Sequence, residues 1–195
     1  MDREYRIEGY AIVSADGMIA DAAGVMPPEL KVEADQRFFR AALDRSAAIA
    51  LGRVTHEQEH NSGRKRLVLT RRVAGLSPDP RDPLALFWNP AGAPFEAARL
   101  ALGLRQGSLA VIGGADVYEV FFPLGYDAFH LTRANHARVP GGRTVFPDLP
   151  PDRMPEDVLR ARGLRPGPLR LLDAAAGITL VSWTPAATAG TPDPD

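Results

Sequence analysis

The 195-residue chain is expected to fold as an α/β three-layer sandwich with a mostly parallel central sheet and an antiparallel hairpin at its C-terminal end. Three observations predict this. Apolar runs of strand length alternate with segments of helical period, the pattern of parallel strands covered on both faces by helices. Several of these runs end in glycine immediately before a helix, as turns between a strand and a helix do. Near the end, Leu169–Asp173 and Ile178–Trp183 flank Ala174–Gly177 and read as a hairpin. The length suits one domain, assigned to residues 1–184. Residues 185–195 hold only Pro, Ala, Thr, Gly and Asp and are expected to form a disordered tail.

In chain order, Ile7–Ser14 is an apolar run ending at Ala15-Asp16-Gly17 and predicts a buried strand. Asp21–Leu30 contains Gly24 and Pro27-Pro28 and predicts a loop. Ala34, Phe38, Ala41 and Ala42, with Phe39 and Leu43, recur at helical spacing over about three turns. Ser46–Leu51 predicts a second strand closed by Gly52, and Arg66–Thr70 a third. Between them Val54–Glu59 predicts a short helix ended by Asn61-Ser62-Gly63. Residues 75–94 hold five prolines around Leu84–Trp88, predicting one strand between two rigid loops. Phe95–Leu104 predicts a helix, and Leu109–Ile112 a strand that runs into Gly113-Gly114. A helix over Ala115–Phe122 is stopped by Pro123, and Ala128–Thr132 predicts a further strand. Pro140–Pro168 is rich in Pro, Gly and Arg and predicts irregular structure.

Composition removes several classes of function. The absence of cysteine excludes a disulfide framework, a thiolate metal site and a cysteine nucleophile. Lys and Arg number 23 against 24 Asp and Glu, so the chain lacks the basic excess that binding to nucleic acid through phosphates requires. No apolar stretch approaches the ~20 residues of a membrane span, and Met1-Asp2-Arg3-Glu4 does not read as a signal segment. A cytoplasmic protein acting on a small molecule is expected. His56, His60, His130 and His136 lack the pairing of metal ligands, and Asp16 with Asp21 offers too few, so no metal is expected.

Three strand ends suit an anion. Gly113-Gly114 lets backbone amides approach a pyrophosphate, although two glycines alone serve a plain tight turn equally well. Gly52-Arg53-Val54-Thr55 follows the second strand, with an arginine able to grip a phosphate and a hydroxyl near free amides. Thr70-Arg71-Arg72 ends the third. In a parallel sheet these segments emerge at one carboxyl edge, where ligands bind. Asp35 lies in the first helix near Phe38 and Phe39. It reads either as a carboxyl whose pKa desolvation raises, suited to a general acid, or as an ordinary acid of a first helical turn.

The strings LGRVTHE, GRKRLVLT, VIGGADVYEVFFPLGYDAFHLT and TVFPD, with Met26-Pro27 and Ala34-Asp35-x-x-Phe38-Phe39, resemble dihydrofolate reductase. Ser14-Ala15-Asp16-Gly17-Met18-Ile19-Ala20 is more similar to the reductase domain of the bifunctional riboflavin-biosynthesis deaminase–reductase. The resemblance covers residues 7–149 and implies the dihydrofolate-reductase-like fold with NADPH as cofactor. It implies that Gly52, Arg53 and Thr55 hold cofactor phosphates, with Thr70 and Arg71 beside the adenosine 2′-phosphate. Ile112, Gly113, Gly114, Ala115, Asp116, Val117 and Tyr118 would form the pyrophosphate turn and nicotinamide wall, with a cis peptide between the glycines. Ala11, Ile19 and Ala20 would line the nicotinamide pocket. Asp35 and Thr132 would be catalytic, hydrogen-bonded at the substrate ring, and Ile12, Phe39 and Arg64 would bind substrate, Arg64 through a carboxylate or phosphate.

The sequence departs from dihydrofolate reductase at Pro28, where that family has tryptophan, and at Gln36, which replaces an apolar contact. The connection from Glu57 to Gly63 is also short. The expected function is NADPH-dependent reduction of a pteridine- or pyrimidine-type substrate, of the 5-amino-6-(5-phosphoribosylamino)uracil reductase type. Dihydrofolate reduction and a non-catalytic nucleotide-binding role are the alternatives. A homodimer joined at a sheet edge is compatible with the sequence.

Overall fold

The computed structural model describes residues 4–58, 63–147, 149–150 and 152–186. His60, the turn at 61–62, Asp148 of the TVFPD string and 187–195 of the expected tail lie outside the described residues. The first strand, β1 (Tyr5–Ser14), is followed by a turn and the short β2 (Met18–Ala20). After the loop and a 3-10 turn at Pro28–Leu30 come α1 (Glu33–Arg45), β3 (Ala48–Gly52), α2 (Arg53–Gln58) and β4 (Arg66–Leu69). Then follow β5 (Leu76–Asp79), β6 (Asp82–Trp88), α3 (Phe95–Leu102), β7 (Gly107–Val111), α4 (Ala115–Phe121) and β8 (Ala128–Ala134). The chain continues through β9 (Arg143–Thr144), α5 (Pro155–Ala161), β10 (Leu164–Pro166), β11 (Arg170–Asp173) and β12 (Ile178–Pro185).

The main sheet has the order β10-β12-β8-β1-β7-β3-β4-β6-β5, with β11 also paired to β12. The five inner pairings, from β8 across to β6, are parallel, and β12 against β8 and β5 against β6 are antiparallel. The expected mostly parallel sandwich with an antiparallel C-terminal hairpin is the fold observed. Its three layers follow from side-chain alternation along the inner strands. Ala48, Ala50 and Leu67 join one core with Phe95, Ala98, Val117 and Phe121. Ile49, Leu51 and Val68 join the other, with Ala42 and Leu43 of α1. Each fully buried leucine or isoleucine contributes about 1.5–3 kcal/mol, so helices on both faces are required to use these strands.

Two stretches differ from expectation. Residues 75–94 hold two strands rather than one, because β5 folds back on β6. Its Pro78 is tolerated because β5 is the edge strand, where a missing N–H leaves no ladder bond unmade. The stretch 140–168, expected to be irregular, contains β9, α5 and β10. Helix α5 is only seven residues long, too short for periodicity to reveal. It starts with Pro155 at its first position, and Asp157 accepts the Met154 N–H at 3.0 Å, which satisfies a free amide at the helix start. Strand β2, also unforeseen, exists only as the partner of β9. Strand β12 extends to Pro185, one residue past the expected domain end.

Candidate active site

Parallel pairing sets the height of each candidate along the sheet. Gly9 of β1 is level with Val111 of β7, so Ile12 is about 10 Å further along, level with the glycine turn that follows β7. On the other side of β1, Ile12 pairs with Thr132 of β8. Thr132 is buried, and its hydroxyl faces the carboxyl of Asp35, the third residue of α1, where it favours the charged form. Burial pushes the Asp35 carboxyl above the ordinary value, and the bond from Thr132 opposes this in part. One turn on from Asp35, Phe39 packs against Tyr10 of β1 with ring centroids 6.2 Å apart. Asp35, Thr132, Ile12 and Phe39 therefore gather between α1 and the centre of the sheet.

The two glycine-bearing ends are joined. The Gly52 amide donates to the Gly113 carbonyl at 3.0 Å, and Ile112 donates to Ala50 at 2.9 Å. The peptide between Gly113 and Gly114 is cis, as the resemblance implies. Gly113 has φ +101°, a region that disfavours side chains, and a Cβ there would stand 3.0 Å from the Tyr118 hydroxyl. A Cβ at Gly114 would meet nothing within 4 Å, so the turn opens onto free space. Ala115 and Asp116 start α4, while Val117 and Tyr118 turn inward and are buried. The Tyr118 hydroxyl donates to the Tyr10 carbonyl at 2.5 Å, and burial raises its pKa, with the nearby Asp35 charge adding to the effect.

Arg53, half-buried at the start of α2, pairs with Glu57 at 2.5 Å, and Glu57 lies 3.9 Å from Arg72. Thr55 is half-buried on the same helix. The Thr70 hydroxyl accepts the Arg72 amide at 3.2 Å, bending the chain after β4, and Arg71 is exposed on that turn. Ala11 on β1 and Ile19 on β2 are half-buried and Ala20 is buried. An open glycine turn flanked by arginine and hydroxyl groups fits a phosphate-bearing dinucleotide.

Arg64 is not part of this gathering. It precedes β4, at the amino edge of the sheet, where it pairs with Asp44 beside a recess of about 430 Å³ lined by Leu43, Ser46, Ala47 and Lys65. Sequence reasoning also missed Arg133 and Glu156, which meet across the turn after β1. It missed His56 of α2, whose Nε2 lies 2.9 Å from Asp79 of β5 with both side chains buried. Arg133 stood beside Thr132 in the sequence, but its partner lies on a helix that gave no periodic signal.

No family model matches the chain, and no curated protein does. Solved structures do. A diaminohydroxyphosphoribosylaminopyrimidine deaminase/5-amino-6-(5-phosphoribosylamino)uracil reductase from Thermotoga maritima matches with TM-score 0.65 and 14 % identity, over 94 % of this chain and 57 % of that one. This chain thus spans little more than half the length of that bifunctional protein. A protein assigned to riboflavin biosynthesis from Shewanella sp. PV-4 matches with TM-score 0.61 and 17 % identity, over 92 % and 98 %. Dihydrofolate reductase from Enterococcus faecalis, complexed with NADP(H) and RAB-propyl, matches with TM-score 0.65 and 17 % identity, over 94 % and 98 %. These likenesses, together with the strand order and the joined strand ends, establish that the chain has the dihydrofolate-reductase-like fold.

Proposed function

We propose that the protein is an NADPH-dependent reductase of a pteridine- or pyrimidine-type substrate, of the 5-amino-6-(5-phosphoribosylamino)uracil reductase type. The observation that carries this reading is the half-buried Asp35, set against the buried Thr132 at the level of the open glycine turn. A reduced nicotinamide, when bound, supplies a hydride. Gly52, Gly113 and Gly114 leave room for its pyrophosphate, while Arg53, Thr55, Thr70 and Arg71 supply charge and hydrogen bonds to its phosphates. Ala11, Ile19 and Ala20 would exclude water beside the ring, and the buried Tyr118 would back that wall. Reduction of a C=N or C=O bond leaves negative charge on nitrogen or oxygen. Asp35, kept protonated to higher pH by burial, delivers a proton there, and Thr132 fixes its orientation.

Dihydrofolate is the second substrate to test, favoured by the same Asp35 and Thr132 pair. Pro28, Gln36 and the short connection after α2 weigh toward the smaller ring. The reading takes the protein as cytoplasmic with a small molecule as its partner. Dimerisation at the β11 edge has support in Leu169 and Leu171, which are 64 % and 58 % exposed. The deciding experiment follows NADPH oxidation at 340 nm with a panel containing the ribosylaminopyrimidinone, dihydrofolate and dihydropterins. Turnover with the first is expected. Tight NADPH binding without turnover on any member would leave a nucleotide-binding protein instead.

A further inference from the structure

We infer that Arg133 and Glu156 form a clamp that positions the Ser14–Ala20 segment, making both of them positioning residues for the reaction proposed above, on which this inference rests. Nη1 of Arg133 donates to the carbonyls of Ser14 at 3.0 Å and Ala15 at 3.1 Å, while Nη2 pairs with Glu156, the second residue of α5. One planar guanidinium thus ties two carbonyls of the turn to a carboxylate on the helix, a geometry that lysine cannot reproduce.

The turn it grips is the root of β2. The Ser14 carbonyl accepts the Gly17 amide at 3.0 Å, and the Ser14 hydroxyl accepts the Met18 amide at 3.0 Å. Gly17 has φ +85° and rests on α5, where a Cβ would lie 3.1 Å from Pro155. The start of α5 therefore reaches the turn twice, directly by packing of Pro155 and, by way of Arg133, through the charge of Glu156. Both charged side chains are largely withdrawn from water, at 16 % and 24 % exposure. The second oxygen of Glu156 is buried without a hydrogen-bond partner, so Arg133 is what holds this carboxylate in place. Beyond the turn lie Ile19 and Ala20, the proposed wall of the nicotinamide. A shift of about 1 Å in such a wall can cost on the order of 10²-fold in rate. The phosphate-binding turns after β3, β4 and β7 make no part of the clamp.

The test uses the full chain with Glu156→Leu and with the double change Arg133→Met/Glu156→Leu, which leaves no unpaired buried charge if the single variant folds poorly. Amide hydrogen exchange, NADPH affinity and single-turnover NADPH oxidation are measured on each. Exchange across 16–20 is expected to quicken about tenfold or more, with β3 and β7 unchanged. Turnover is expected to fall about 10- to 10²-fold, with the NADPH dissociation constant within about twofold. Unchanged exchange at 16–20 overturns the clamp. So does exchange that rises evenly through the sheet while turnover per folded molecule stays constant, which is the signature of a merely structural pair. If the unmutated chain reduces no substrate, the functional reading fails by itself, and the exchange measurement still decides whether the clamp exists.

Discussion

The Gly52 amide donates to the Gly113 carbonyl at 3.0 Å, so the ends of β3 and β7 close onto one another at the carboxyl edge. A Cβ placed on Gly52 would lie 3.9 Å from the Gly114 nitrogen. Two turns separated by sixty residues of sequence are thereby made into one surface, and that surface is what the cofactor reading depends on.

Gly114 faces outward from this surface into open space, since a Cβ there meets nothing within 4 Å. Gly114→Val is expected to keep the far-UV circular dichroism and melting temperature of the parent while losing NADPH binding. Fluorescence titration with NADPH checks this. Normal affinity would reduce the glycine pair to a plain turn.

Arg53 is held by Glu57 at 2.5 Å, poised at the start of α2. A charge-assisted bond to a phosphate is worth roughly 1.5–3 kcal/mol, so Arg53→Ala is expected to weaken NADPH about tenfold or more. The parent protein should also prefer NADPH to NADH, through the arginines after β3 and β4. Equal affinity for the two cofactors would remove the proposed 2′-phosphate site.

Asp35→Asn is expected to lower turnover by about 10²–10⁴-fold and to leave NADPH affinity nearly unchanged. In the parent, activity should fall as pH rises through the raised Asp35 value, because the proton is then lost. The same shift bears on stability. A carboxyl whose folded value is raised contributes fully below its unfolded value, and that contribution is lost as pH rises through the folded value. Urea midpoints between pH 4 and 8 should therefore decline less in the asparagine variant. A variant with full activity would make Asp35 structural.

Burial by itself would raise Asp79, but the Arg81 amide and His56 hold its carboxyl below the ordinary value. Its contribution is therefore present above the unfolded carboxylate value and disappears as pH falls through the lower folded one. Asp79→Asn is expected to cost about 1–3 kcal/mol at pH 7, since His56 is left buried beside a neutral amide. The difference between parent and variant should shrink on acidification below about pH 4. Chemical denaturation at several pH values reads this, and a difference independent of pH would contradict the pairing.

Much of the architecture was legible from residue order. The inner strands are short apolar runs, of which β3 and β7 run into glycine, and α1 declares itself by spacing, because burial on two faces or on one stripe writes a period into the sequence. Asp35, Gly52 and the Gly113-Gly114 pair could be singled out from the residues themselves, and Thr132 from the family resemblance. Elements built from partners rather than patterns were not legible. Strand β2 exists because β9 lies beside it, α5 is too short to carry a period, and β5 reads as a proline-rich loop until β6 pairs with it. The same division holds at the site. Local sequence determined which residues have the chemistry to bind phosphate or carry a proton. Only the tertiary structure decided that Thr132 reaches Asp35, that Arg64 turns to Asp44 at the far edge, and that Arg133 meets Glu156. Contacts between residues distant in sequence leave no local period, since their energy is realised only once the sheet has brought the strands into register.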